Sequence, residues 1–266
     1  MLTLVDLHTY MGKMLRFQDK VLLSLAFIGD AAVDFVKTSE KARRQRWVFY
    51  STLLPWEENT FYRSCSALIR SKDIKKEIRN GEPYIVLSSG GQDNYERRFP
   101  LLNWRNRKWN GEWCIVSYDV PESTSYIRDS LREKLRSLGF GLWQRSVYIS
   151  PYSFLRSDLL EFVKLNNLEE FVSVTVAKDL SGGNERRLAR DVFNLEDLGE
   201  QYDDLLSDLR DAEPDEIKVL YDSYLSLLTD KDPLLPRELL PEHWSGFKVV
   251  SKLKSILKGQ KMSSDH

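Results

Sequence analysis

The chain has 266 residues, of which 42% are hydrophobic and 30% charged, and its formal net charge is −1. This composition is typical of a soluble globular protein with two or three domains. The longest apolar run, at 21–28, is too short to cross a bilayer, and the first residues lack the pattern of a signal peptide. We expect a cytoplasmic protein with no membrane partner, in which Cys65 and Cys114 are buried thiols rather than a disulfide.

The charge is unevenly distributed along the chain. Residues 37–80 contain 11 Lys or Arg against 5 Asp or Glu, whereas residues 191–242 contain 4 against 16. A basic first third predicts a module that binds a polyanion and is joined to a separate part of the chain with a different role. The alternative is that the solvent-exposed faces of different helices simply differ in the sign of their charge.

The first third shows three helical patterns followed by a hairpin. Apolar residues at spacings of three and four predict a helix over 17–36, and a second helix over KARRQRWVFYSTLL stops before Pro55. A third follows in WEENTFYRSCSALIRSKDI, and KKEIRNGEPYIVLSS carries the Asn-Gly signal of a hairpin turn. This order is that of a winged helix-turn-helix domain, predicted over 1–91. A plain helical domain with a surface hairpin is the alternative.

A winged helix-turn-helix binds DNA in a defined way. Its third helix would place short polar and arginine side chains in the major groove, and the basic hairpin would contact phosphates. The residues predicted to contact DNA are Arg43, Arg44, Arg46, Asn59, Thr60, Arg63, Ser64, Arg70, Lys75, Lys76, Arg79 and Asn80.

Residues 92–110 are polar, aromatic and arginine-rich, and they are predicted to be a linker. The stretch that follows alternates strand and helix patterns, with one strand predicted over LWQRSVYIS and Gly139 expected to end a helix. We therefore predict an α+β protein with a central ferredoxin-like domain at 111–180, ordered βαβαβ or a variant of it, and a C-terminal helical domain at 181–266.

Asp119 raises the question of catalysis. It closes the first strand of the middle region, and Glu122 is close in sequence, so a divalent metal held by Asp119 would make the protein a metal-dependent nuclease. The alternative is structural, with Asp119 capping the next turn or pairing with Arg128 or Arg145. The three histidines are scattered, and no cofactor is expected.

The middle region resembles the small CRISPR adaptation nuclease family, a ferredoxin-like dimer. The residues that carry this resemblance are Tyr118, Asp119, Arg128, Gln144, Ser146 and Val147. It also resembles the PaaX-type repressors of phenylacetate catabolism. DPLLPRELLPEHWSGF, at 232–247, is similar to their Leu-Pro-x-x-Leu-Leu-Pro-x-x-Trp-x-Gly signature, to which the nucleases have nothing comparable. The resemblance covers roughly residues 55–250.

The PaaX resemblance implies a homodimeric transcriptional repressor that binds double-stranded DNA and responds to an aryl-coenzyme A thioester. In SGGNERRLAR, at 181–190, a glycine turn precedes Arg186, Arg187 and Arg190, which could hold the phosphates of that effector. Alternatively, this helix forms salt bridges with the acidic region beyond 190. A metal-dependent nuclease and a non-catalytic dimeric assembly protein remain the other readings of the whole chain.

Overall fold

The computed structural model describes residues 16–28, 30–32, 58–79, 82–121, 125–213 and 216–263. These residues divide into two compact units, each assembled from separate stretches of the chain. The central unit contains 97–198 and 229–244, and the terminal unit contains the described residues up to 96 together with 199–228 and those from 245 onward. The predicted C-terminal domain at 181–266 is thus shared between both units.

The terminal unit begins with helices and a small sheet. Its elements in this part of the chain are α1 (Phe17–Ile28), β1 (Asp30–Ala32), α2 (Glu58–Arg70), β2 (Ile74–Arg79), β3 (Glu82–Leu87) and α3 (Ser89–Arg98). The prediction of one helix over 17–36 is wrong, because the helix ends at Ile28 and residues 30–32 pair with β3. Glycine and aspartate, both poor helix formers, follow that end. The second predicted helix lies outside the described residues.

The predicted hairpin is confirmed. β2 and β3 are antiparallel from the Ile74–Leu87 pair to the Arg79–Glu82 pair, and β1 joins the other side of β3. The core beneath this sheet and the two helices consists of buried apolar side chains. They include Leu22, Leu25, Phe61, Cys65, Leu68, Ile74 and Ile85.

The last third of the chain completes the core of the terminal unit. Its helices are α8 (Leu195–Asp211), α9 (Ile217–Ser226) and α10 (Ser245–Ser263). The Tyr221 hydroxyl, buried on α9, donates a hydrogen bond of 2.8 Å to Ser24 Oγ on α1. Lys20 Nζ on α1 lies 2.5 Å from Asp222 Oδ1. Helix α1 is therefore packed by residues that lie 197 and 202 positions further along the chain. None of the helices described is long and apolar enough to cross a membrane.

The central unit has the ferredoxin-like order βαββαβ. Its elements are β4 (Glu112–Tyr118), α5 (Ser125–Ser137), β5 (Gly141–Gln144), β6 (Val147–Ser150), α6 (Leu155–Leu165) and β7 (Val172–Lys178). The antiparallel sheet has the order β5-β6-β4-β7. The single strand predicted over LWQRSVYIS is wrong, because Gln144 pairs directly with Val147 and the chain reverses between them. This hairpin supplies the strand that the predicted order lacked.

Glycine and proline mark the boundaries of two helices in the central unit. Gly139 follows α5 with φ at +76°, and a Cβ there would lie 2.8 Å from Leu101 Cδ2, so its predicted role as a helix stop is confirmed. The predicted linker is largely helical, since α3 continues to Arg98 and α4 spans Pro100–Trp104. Proline at the first helical position favours that second helix.

The proline-punctuated segment near the C-terminus packs within the central unit. Its apolar side chains are buried, and they are Leu234, Leu235, Leu239, Leu240 and Trp244. The Tyr152 hydroxyl donates a hydrogen bond of 2.5 Å to the carbonyl of Leu234, and burial raises the pKa of Tyr152. Asp232 accepts a hydrogen bond from the Leu234 amide and lies 3.7 Å from Arg105. These contacts give the segment a packing role within the central unit.

Candidate nucleic-acid interface

Helix α2 has one buried face and one exposed face. Phe61, Cys65 and Leu68 are buried, while Thr60, Arg63 and Arg70 are exposed. The exposed residues are separated by three and seven positions, so they lie along one side of the helix over about 15 Å. The guanidiniums of such an exposed stripe are able to form the bidentate contacts that read guanine in the major groove.

Ser64 lies differently from the other residues predicted on α2. Its exposed fraction is only 8%, and its neighbour Cys65 is fully buried, so Ser64 is turned toward the core. Burial raises the pKa of Cys65 to about 12, which keeps the thiol neutral. The serine therefore contributes to the packing of α2 instead of its exposed stripe.

The β2–β3 hairpin presents exposed cations beside this helix. Lys75 and Lys76 are both exposed, and because adjacent strand residues point to opposite faces, they extend to both sides of the hairpin. Lys75 Nζ lies 3.3 Å from Glu77 Oε1. Ile78, near the end of the same strand, is 69% exposed.

Six predicted DNA contacts cannot be placed as side chains. Arg43, Arg44, Arg46 and Asn80 lie outside the described residues, and so does the side chain of Arg79, whose backbone belongs to β2. The side chain of Asn59 is likewise outside them, although its backbone is in α2. These residues remain predictions.

The junction between α2 and the hairpin is fixed by a buried aspartate. Asp73 Oδ2 accepts a hydrogen bond of 2.7 Å from Ser71 Oγ, and Asp73 Oδ1 accepts one of 2.8 Å from Asn94 Nδ2 on α3. The Ser88 amide donates to the Asp73 carbonyl at 3.0 Å. Gly91 lies so close that a Cβ on it would be 1.7 Å from that carbonyl oxygen. This junction was not predicted from the sequence, although the Gly90-Gly91 pair after β3 indicates a close backbone approach.

Asp119 is exposed at the end of β4. Its amide donates a hydrogen bond of 2.9 Å to the Phe171 carbonyl, and neither Arg128 nor Arg145 pairs with its carboxylate within the described part of the chain. Glu122 and the turn around it lie outside the described residues. Among those that are described, no group of three or more His, Cys, Asp or Glu could hold a metal ion.

The three arginines predicted to bind an effector lie on α7 (Glu185–Phe193) and already have protein partners. Asn184 caps this helix by accepting from the Arg187 amide. Arg186 Nε donates to the Glu238 carbonyl at 2.9 Å, while the Nε atoms of Arg187 and Arg190 lie 3.8 and 3.1 Å from Asp191 carboxylate oxygens. This arrangement agrees with the alternative of salt bridges to the acidic region.

The central part of the chain is similar to a known family. Residues 106–189 match the family model of the PaaX protein central Cas2-like domain. This match supports the PaaX resemblance that the sequence predicted for the middle region.

One solved structure shares the fold of nearly the whole chain. The uncharacterized protein Rv0674 from Mycobacterium tuberculosis is 20% identical, with a TM-score of 0.56 over 91% of this chain and 96% of that chain. No curated protein sequence matches the chain.

Proposed function

We propose that the chain is a DNA-binding transcriptional regulator, a PaaX-like repressor that acts as a cytoplasmic homodimer. The observation that carries the proposal is the exposed stripe of α2, where Thr60, Arg63 and Arg70 lie opposite the buried face of the helix. The lysines of β2 provide phosphate contacts beside it.

The topology of the terminal unit supports a winged helix-turn-helix. The order α1, β1, α2, β2, β3 places a helix with an exposed basic stripe directly before a basic hairpin. The junction at Asp73 and Gly91 holds this helix and hairpin at a fixed angle. A rigid angle of this kind allows base and phosphate contacts to form together.

We propose that the central sheet couples the two subunits. On the edge strand β7, Ser173 and Thr175 are exposed on the face opposite to buried Val172 and Val174. They pair with Ser117 and Ile115 of β4, which are half-buried. A small, uncharged surface of this kind suits a symmetric contact between two copies.

An aryl-coenzyme A thioester is the effector that the PaaX resemblance favours. If Arg186, Arg187 and Arg190 bind its phosphates, each guanidinium has to exchange a protein oxygen for a ligand oxygen. Such an exchange would couple effector binding to the contacts between α7 and the segment containing Glu238.

A metal-dependent nuclease is the second candidate function. It is supported by the exposed position of Asp119 at the end of β4 in a Cas2-like domain. It predicts cleavage of DNA or RNA in the presence of Mg²⁺ or Mn²⁺ that Asp119→Ala abolishes. Cleavage that persists in this variant would exclude Asp119 chemistry.

The experiment that tests the main proposal is a genome-wide map of bound DNA followed by titration of the recovered fragments. The expected result is a small set of sites whose affinity falls steeply with salt, by about 10³-fold or more between roughly 50 and 200 mM if six or more phosphates are contacted. Binding that is absent, or that is unaffected by salt, would contradict the proposal.

A further inference from the structure

Three arginines lie on one face of α5 in the central unit. Arg128, Arg132 and Arg136 are four residues apart, a spacing that aligns side chains along a helix. The stripe extends for about 12 Å. This stripe was not predicted from the sequence, because Asp129 and Glu133 alternate with the arginines and cancel much of their charge.

The middle arginine is held by a pair of tyrosines. Arg132 Nε donates a hydrogen bond of 2.9 Å to Tyr118 Oη. The Tyr118 ring stacks on the Tyr148 ring, with 6.0 Å between centroids and 25° between planes, and both side chains are buried. The guanidinium of Arg132 is therefore pre-organised. It also lies 3.5 Å from Asp129, an exposed carboxylate on the same helix.

Arg136 lies close to the same tyrosine pair. Burial raises the pKa of Tyr148, and the charges of Arg136 and Arg132 oppose that shift, so both guanidiniums act on the Tyr148 hydroxyl. The stacked Tyr118 and Tyr148 rings therefore lie beside the arginines of α5.

Arg128 supplies the observation that points to a ligand. Its Nε atom is buried and has no hydrogen-bond partner. Across the described ranges, the side chains of Arg128 and Arg136 form neither a hydrogen bond nor an ion pair. A buried donor without an acceptor is costly and calls for a partner such as an ion. In contrast, the arginines of α7 all have acceptors.

We propose that the α5 arginine face, formed by Arg128, Arg132 and Arg136, binds a small ligand with more than one phosphate group. Guanidinium forks match phosphate oxygens in pairs, and the length of the face exceeds what one phosphate can span. The site is independent of DNA binding by α2 and of the arginines on α7.

The test is isothermal titration of the full-length protein with inorganic triphosphate and inorganic phosphate. We expect the wild type to bind triphosphate at least about tenfold more tightly than phosphate, since more than one guanidinium is engaged. The double variant Arg128→Gln/Arg136→Gln should lose at least about tenfold in triphosphate affinity. Arg156→Gln/Arg210→Gln is the matched control, which removes the same charge from exposed arginines outside this face and should change the affinity by less than about twofold.

Two results would overturn the proposal. One is a wild-type protein that binds no triphosphate. If, in addition, the α5 variants change only the affinity for DNA, this face is a nucleic-acid contact instead. The other is an equal loss in both double variants, which would indicate nonspecific charge attraction. If the glutamine variant fails to fold, Arg128→Lys/Arg136→Lys retains the charge but loses the fork geometry. An unchanged triphosphate affinity in that lysine variant refutes the site.

Discussion

The junction between α2 and the hairpin provides a sharp test, because two adjacent glycines on α3 should respond to alanine in opposite ways. At Gly91 a Cβ would lie 1.7 Å from the Asp73 carbonyl oxygen and 2.6 Å from the carbonyl carbon. Both atoms are backbone, so the strand or the helix has to move. At Gly90 the nearest atom is the Lys72 carbonyl oxygen at 3.6 Å, which is ordinary contact.

The expected energies follow from these distances. Overpacking typically costs about 1–3 kcal/mol, and the shift in Gly91→Ala also strains the hydrogen bond from the Ser88 amide to Asp73. Gly90→Ala should be neutral or stabilise by up to about 1 kcal/mol, because alanine favours the helix. In a unit of this size, Gly91→Ala should lower Tm by roughly 2–10 °C.

The assay is thermal unfolding by circular dichroism, together with titration of a bound DNA fragment. Gly91→Ala should lose DNA affinity at a temperature where it is still folded, because the angle between α2 and the hairpin changes. Gly90→Ala should bind as the wild type does. Equal Tm values for the two variants, or a stabilising Gly91→Ala, would refute the reasoning about this junction.

The other predictions concern burial and assembly. Tyr221→Phe should lower the free energy of unfolding by about 1 kcal/mol in urea titrations, because the bond to Ser24 is lost; an unchanged value would show that this bond contributes nothing. Burial raises the pKa of Cys65 and Cys114 to about 12, so neither should react with a thiol reagent at pH 8 until the protein unfolds, and stability should fall as pH rises above the ordinary value of 9.0. Rapid modification of the folded protein would contradict this. Thr175→Arg should convert a dimer to monomers in analytical ultracentrifugation, and a dimer that persists would place the subunit contact elsewhere.

The sequence predicted elements wherever the local pattern and the tertiary structure agree. Alternating strand residues and the Asn-Gly pair predict the β2–β3 hairpin, and Gly139 marks a true helix end. The β5–β6 hairpin was missed because Arg145-Ser146 contains no Gly, Asn or Asp, the residues that two-residue hairpin turns favour. The helical spacing of apolar residues over 17–36 also continues past Ile28, where α1 ends, because residues 30–32 pair with β3 as a strand.

The candidate sites were also predictable from the sequence only in part. Spacing on α2 predicts which arginines are exposed, but it misplaced Ser64, which lies beside buried Cys65. The arginines near 186 are prominent in the sequence, yet their partners, Glu238 and Asp191, become visible only in the fold. A charge count cannot distinguish a paired guanidinium from one that lacks an acceptor.

The most direct test of the account is to compare how two variants bind a library of operator-like sequences. We predict that Arg63→Ala relaxes selectivity at one base pair at a cost of about 1–3 kcal/mol, because the proposed role of Arg63 is contact with a base edge. Lys76→Ala should weaken binding to all sequences alike and reduce the salt slope by about one, because its proposed role is contact with a phosphate. If neither substitution changes affinity or selectivity, then α2 and its hairpin do not form the DNA-binding surface.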